Sequence, residues 1–209
     1  TKLSFLNNYH NPIIVISIIV ALISNFGSVI TIIEPLTFTK INISSQGYII
    51  TSDLNQTYII NNEWWRLITP IFLHFSIAHL AFNCLWIYIL GDKIEKMDGA
   101  LILIILVIFS AVCSNLLQYL WTFSSLFGGL SGVIYGLIGF CMILEFESEK
   151  NRYHLPPALY LFMIAWLILG FAGILDLFGF GSVANFAHLG GLISGIMFAM
   201  IYKNIFKRL

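Results

Sequence analysis

Two side chains in this chain have the chemistry of a nucleophile and its base. Ser131 sits in the string Gly129-Leu130-Ser131-Gly132, and His188 in Ala187-His188-Leu189-Gly190-Gly191. A serine hydroxyl attacks a carbonyl poorly until a base within about 2.6–3.2 Å takes its proton. A second polar set stands at His74, His79 and Asn83, of which His79 and Asn83 are four residues apart and so share a helical face. Tyr135 lies one helical turn beyond Ser131. Taken singly, each has a plainer explanation. A serine in a membrane helix is most often a packing or back-bonding residue. An isolated intramembrane histidine is as readily a proton relay, a haem ligand or a packing group as a base. The G-x-S-G string is not the G-x-S-x-G elbow of soluble hydrolases.

The elements that carry these residues are membrane-like. The 209 residues are 59% hydrophobic and 10% charged, with mean hydropathy +0.92, where a soluble domain has roughly a quarter charged. Charged residues cluster and leave charge-free runs at 12–33, 67–91, 99–144, 155–175 and 177–202. A bilayer core of about 30 Å needs about 20 apolar residues in helical form. The 99–144 run is about twice that, so it holds two spans joined near 118–129. The expectation is an all-α membrane protein in one domain over 1–209, a bundle of six transmembrane helices near 12–33, 76–96, 100–119, 131–146, 157–175 and 184–203. A large external loop separates the first two.

The net charge is zero, and nothing points to nucleic acid. Cys84, Cys113 and Cys141 all fall in predicted spans and read as packing residues, not a disulfide framework. The 12–33 run is too long for a signal-peptide core and reads as a retained span. The chain begins at Thr1 without Met, so it reads as trimmed. If the first helix runs outward, the inner segments hold Lys2, Lys93, Lys96, Lys150, Arg152, Lys203, Lys207 and Arg208, and the outer ones only Lys40 and Arg66. That bias puts both termini in the cytoplasm. Asp176 and Trp64-Trp65-Arg66 read as interfacial anchors.

The second, fourth and sixth helices then run the same way, and each carries polar groups near its outer end. Gly128, Gly132 and Gly136 follow small-xxx-small spacing, as do Ala187, Gly191 and Gly195, which lets membrane helices approach backbone to backbone. Ser131 lies on the order of 10 Å below the outer surface, from a rise of about 1.5 Å per residue. The Gly128-Gly129 pair suits the bend needed to start a helix there.

In combination these residues resemble the rhomboid intramembrane serine proteases in their six-helix bacterial form. The resemblance is carried by His74-x4-His79-x3-Asn83, by Gly129-x-Ser131-Gly132 with Tyr135, and by Ala187-His188-x-x-Gly191-x3-Gly195. Trp65-Arg66 and Glu95 add to it. It departs at the fifth helix, where the stretch from Trp166 to Asp176 is a few residues longer than in the family. The resemblance implies a protease of the bacterial inner membrane whose site opens to the outer side. Its substrate is a transmembrane protein segment cut near its outer end. Ser131 would be the nucleophile and His188 the general base and acid, a dyad because no Asp or Glu lies in a span beside His188. Asn83, His79 and the Ser131 N–H would form the oxyanion hole, the last because a helix's first N–H groups are unpaired. Tyr135 would pack on the imidazole, with Gly129, Gly132, Gly191 and Gly195 supporting. Phe82 and Trp166 would form a lateral gate. No cofactor and no metal is expected.

The alternative is a non-catalytic relative that binds transmembrane helices; inactive relatives typically lack the serine or the histidine. A transporter would show charged or broken-helix sites and an internal repeat, and neither is seen.

Overall fold

The computed structural model describes residues 8–44, 46–148, 151–177 and 183–206. Lys2, Lys150, Lys207, Arg208 and the Asp176 side chain, all singled out above, lie outside what is described. The main helices are α1 (His10–Ile23), α2 (Ile77–Asp98), α3 (Ala100–Thr122), α4 (Ser131–Glu147), α5 (Pro157–Phe171) and α6 (Asn185–Phe206). Three are long and apolar enough to cross a membrane: Ile77–Asp98, Ala100–Thr122 and Asn185–Ile205. Three shorter helices, His10–Ile23, Ser131–Phe146 and Pro157–Phe171, are also apolar.

The 12–33 run is not one helix. Helix α1 stops at Ile23, and the backbone turns left-handed at Asn25, Phe26 and Gly27 before a single helical turn, Ile30–Ile33. The Ser24 hydroxyl accepts from the Gly27 N–H and stabilises the break. Hydropathy cannot register such a turn, because Phe26 and Val29 stay apolar across it.

Between α1 and α2 the chain builds a compact loop. A hairpin pairs β1 (Ile41–Ile43) with β2 (Ile49–Thr51), and a π-helical segment, Asn55–Ile60, follows. Arg66, expected as an interfacial anchor, is buried at the loop's centre. It donates to the carboxylates of Glu63 at 2.6 Å and Glu34 at 2.8 Å, and to the Thr37 carbonyl at 3.1 Å. Two carboxylates compensate the desolvated guanidinium, and its planar fork reaches both sides of the loop. Tyr58 donates to the Phe38 carbonyl at 2.7 Å, and burial holds its phenol well above the ordinary value, so it remains a donor.

The core runs along α4, whose residues from Leu130 to Leu144 are mostly buried. Helix α4 packs most extensively on α6. A Cβ on Gly191 would collide with the Gly132 carbonyl, and one on Gly195 with the Gly136 carbonyl. These glycines let the two backbones touch. At the opposite end from the loop, Asp98 is fully buried and accepts from Arg152 at 2.6 Å, Tyr153 at 2.7 Å and Tyr202 at 3.0 Å. Lys93 donates to the Tyr153 carbonyl at 2.6 Å. This network fixes the segment that leads into α5.

Candidate active site

Helix α4 begins at Ser131, and the residues before it set where that beginning lies. Gly129 has φ +116°, and its N–H donates to the Pro70 carbonyl at 3.1 Å, so the loop between α1 and α2 holds the approach. A Cβ at Gly129 would lie 2.7 Å from Cε1 and Nε2 of His79 and 3.3 Å from Nδ2 of Asn83. Glycine is therefore required twice, for the left-handed backbone and for the space that brings α2's side chains beside the helix start. Gly128 is equally tight against Leu73 and the Pro70 carbonyl.

The seam between α4 and α6 sets the distance from serine to histidine. Nε2 of His188 lies 2.8 Å from Oγ of Ser131. The ring of Tyr135 stacks on the imidazole at 4.7 Å between centroids and 25° between planes, and its hydroxyl is fixed by donation to the Met163 carbonyl at 2.8 Å. His188 is buried, and its Nδ1 has no hydrogen-bond partner, and so no orienting carboxylate, among the described residues. Gln118 on α3 accepts from the Ala187 N–H at 3.0 Å and holds the backbone next to the histidine.

On α2, the Ser76 hydroxyl accepts from the His79 N–H at 3.2 Å and caps the helix. Asn83 is buried, with Nδ2 3.0 Å from Nε2 of His74; Nδ1 of His74 is 3.1 Å from the Phe72 carbonyl. A carbonyl only accepts, so Nδ1 carries the proton and Nε2 accepts from the Asn83 amide. That leaves the second amide hydrogen of Asn83 for another acceptor. The rings of His74 and His79 are 5.0 Å apart. Phe82 and Trp166 stack between α2 and α5, with centroids 6.0 Å apart and 23° between planes.

Thus Ser131, His188, Tyr135, His79, Asn83 and Gly129 meet at one end of the bundle, with Phe82 and Trp166 flanking them, Gly132 and Gly191 in contact in the seam and Gly195 a turn deeper on Gly136. Sequence spacing missed the pairing of His74 with Asn83. His74 precedes the helix, so no helical period relates the two. It also missed the role of Gln118, which it placed at the junction of two spans, whereas α3 continues to Thr122 and carries Gln118 within the helix.

Apolar helices packed around a part-buried serine–histidine contact define a multi-pass membrane protein. The chain belongs to the rhomboid family: residues 61–205 match the Rhomboid domain model. It is 40% identical over 137 residues to the Rhomboid protease GlpG of Serratia proteamaculans (strain 568), covering 66% of this chain and 48% of that protein. It is 42% identical over 135 residues to the Rhomboid protease GlpG of Yersinia pseudotuberculosis serotype I (strain IP32953), covering 65% of this chain and 47% of the relative. The Yersinia pestis protein of the same name matches over the same extent at 42%. The chain spans about half the length of these curated relatives.

Proposed function

We propose that this chain is an intramembrane serine endopeptidase that cuts transmembrane-protein substrates with a Ser131–His188 dyad. What supports this most is the 2.8 Å contact from His188 Nε2 to Ser131 Oγ at the start of α4. His188 takes the hydroxyl proton as Ser131 attacks the peptide carbonyl. The resulting oxyanion accepts from the Ser131 N–H, from the remaining amide hydrogen of Asn83 and from His79. An N–H at the first helical position has no intrahelical partner and lies at the positive end of the helix dipole. As the C–N bond breaks, His188 returns its proton to the leaving amine. It then deprotonates a water that hydrolyses the acyl ester. With no carboxylate on Nδ1, Tyr135 holds the ring in plane by stacking.

Six helices cross the bilayer, with both termini on the cytoplasmic side and the loop between α1 and α2 outside. Helix α4 has 17 residues, roughly 25 Å at about 1.5 Å per residue. In a hydrocarbon layer of about 30 Å, Ser131 is therefore submerged. The substrate unwinds locally and enters past Phe82 and Trp166.

The test compares wild type, Ser131→Ala and His188→Ala, purified and reconstituted in liposomes, on a fluorescent transmembrane-segment reporter. Both variants should lose cleavage while keeping the wild-type melting temperature. A fluorophosphonate probe should label Ser131 only when His188 is intact. Cleavage by Ser131→Ala at the wild-type rate would falsify the mechanism.

A further inference from the structure

Tyr153, in the segment between α4 and α5, is bonded through every polar atom it has. Its N–H donates to a Glu145 carboxylate oxygen at 2.6 Å, its carbonyl accepts from Lys93 at 2.6 Å, and its hydroxyl donates to Asp98 at 2.7 Å. Glu145 lies on α4, and Lys93 and Asp98 lie on α2. The ring packs against Phe140 of α4 with centroids 6.5 Å apart, and the residue is 1% exposed. Arg152 beside it donates to the other Asp98 oxygen at 2.6 Å, and Tyr202 of α6 donates to that same oxygen at 3.0 Å. A desolvated carboxylate with three donors is fully compensated, which makes the tie a firm one. This network lies at the other end of α4 from Ser131, and the proposed chemistry makes no use of it.

The tie reaches α5 through a stiff link. Only His154 and Leu155 separate Tyr153 from Pro156-Pro157, and Pro157 is the first residue of α5. Each proline ring fixes its own φ, so the link has few free rotations. Beyond this base, α5 is held by contacts of another kind: Met163 accepts from Tyr135, Trp166 stacks on Phe82, and Gly170 accepts from Asn185. A helix bolted at one end turns about the bolt. Trp166 is nine residues beyond Pro157, roughly 13 Å at about 1.5 Å per residue. An extended segment needs a gap of about 4.8 Å, the spacing of neighbouring strands, which a rotation of roughly 20° opens at Trp166. A helix about 10 Å wide needs roughly 45°. A fixed base therefore passes an unwound segment far more readily than a helix.

We propose that Tyr153 is a positioning residue of the substrate passage: it fixes the base of α5, so that the helix opens as a wedge and selects locally unwound segments. The inference rests on the reading of α5 as the flank past which substrate enters. Tyr153 acts through α5 and takes no part in bond cleavage. With the tie loosened, α5 can part from the bundle along its whole length, and selection against an intact helix weakens. What changes is which segment enters, while the chemical step keeps its rate.

The test compares wild type with Tyr153→Phe, which removes only the bond to Asp98, and with Lys93→Met, which cuts the tie at the Tyr153 carbonyl and leaves Tyr153 intact. Ketone-reactive spin labels on p-acetylphenylalanine are placed on exposed positions of α2 and α5, as one pair at Ile77 and Ile168 and another at Met97 and Leu161. In liposomes, wild type should give a narrow distance distribution for the pair near the base and a broader one for the pair near the site. Both variants should broaden the pair near the base. A base pair that is already as broad as the other in wild type, or that neither variant broadens, overturns the proposal. This arm needs no cleavage, so it decides about the base even if the dyad proves inert. In the second arm, two transmembrane reporters differ only in a helix-breaking Gly-Gly pair at the end to be cut. Both variants should narrow the preference for the broken reporter roughly 2–10-fold, the equivalent of one hydrogen bond, through KM of the unbroken one and with kcat on the broken one unchanged. A fall in kcat on both reporters with the preference intact would make Tyr153 a general structural residue and sink the proposal.

Discussion

Helices α4 and α6 meet through backbone, whereas α5 meets the bundle through side chains. On the first side, Gly191 faces the Gly132 carbonyl and Gly195 the Gly136 carbonyl, with no atoms left between that can rearrange. On the second, α5 is held on the site's side by the Phe82–Trp166 stack, the Tyr135–Met163 bond and the 2.9 Å bond from Asn185 Nδ2 to the Gly170 carbonyl. Its opposite end is fixed through Arg152 and Tyr153 on the buried Asp98 side chain. A hydrogen bond between nucleophile and base tolerates errors of tenths of an ångström, which a glycine seam provides. A passage for substrate needs an element that can swing, which rings stacked in pairs and a pinned far end allow. The two requirements are met on opposite flanks of α4.

The strongest challenge to this contrast is Gly191→Val. Its side chain must push α6 away from Gly132, and overpacking of this kind costs about 1–3 kcal/mol. Cleavage should fall below detection, and the melting temperature in detergent should drop clearly; wild-type turnover would show that the seam does not set the dyad's geometry. Asn83→Ala comes next. Loss of one oxyanion donor lowers kcat by ~10²–10³-fold, and KM should stay near wild type in reporter kinetics. A rise in KM with unchanged kcat would move Asn83 from the oxyanion hole to substrate binding.

His74→Ala should cost less, roughly 2–10-fold in kcat, the equivalent of one hydrogen bond of about 0.5–1.5 kcal/mol. In the Asn83→Ala background it should cost nothing further, because its effect passes through the Asn83 amide. Additive losses in that double-mutant cycle would give His74 a separate role. The smallest effect belongs to the side-chain flank. Trp166→Ala should raise turnover of a transmembrane reporter a few-fold at most, with only a small loss of melting temperature. A collapse as deep as that of Gly191→Val would mean that α5 is part of the rigid frame.

The sequence makes some of this architecture visible and hides the rest for physical reasons. Ser131, His79, Asn83 and His188 stand out only together, because polar groups recur near the same end of three helices that run the same way, and the small-residue spacing indicates which helices approach closely. Those signals are local and periodic. The left-handed turn at Asn25–Gly27 is local but not periodic. The Arg66–Glu34 pair and the bond between His74 and Asn83 join residues outside any helical repeat, and Arg66 in particular is indistinguishable in sequence from an arginine at a membrane surface.

The placement of His188 on α6, after the helix that carries Ser131, has a consequence for how such a chain is made. Ser131 and His188 are 57 residues apart. At synthesis rates of about 5–20 residues per second, the base emerges roughly 3–11 s after the nucleophile. Until α6 enters the bilayer and its glycines meet those of α4, the serine has no partner to take its proton. The proposed dyad is thus inert until α6 has been made and inserted. It becomes competent when that helix docks on α4.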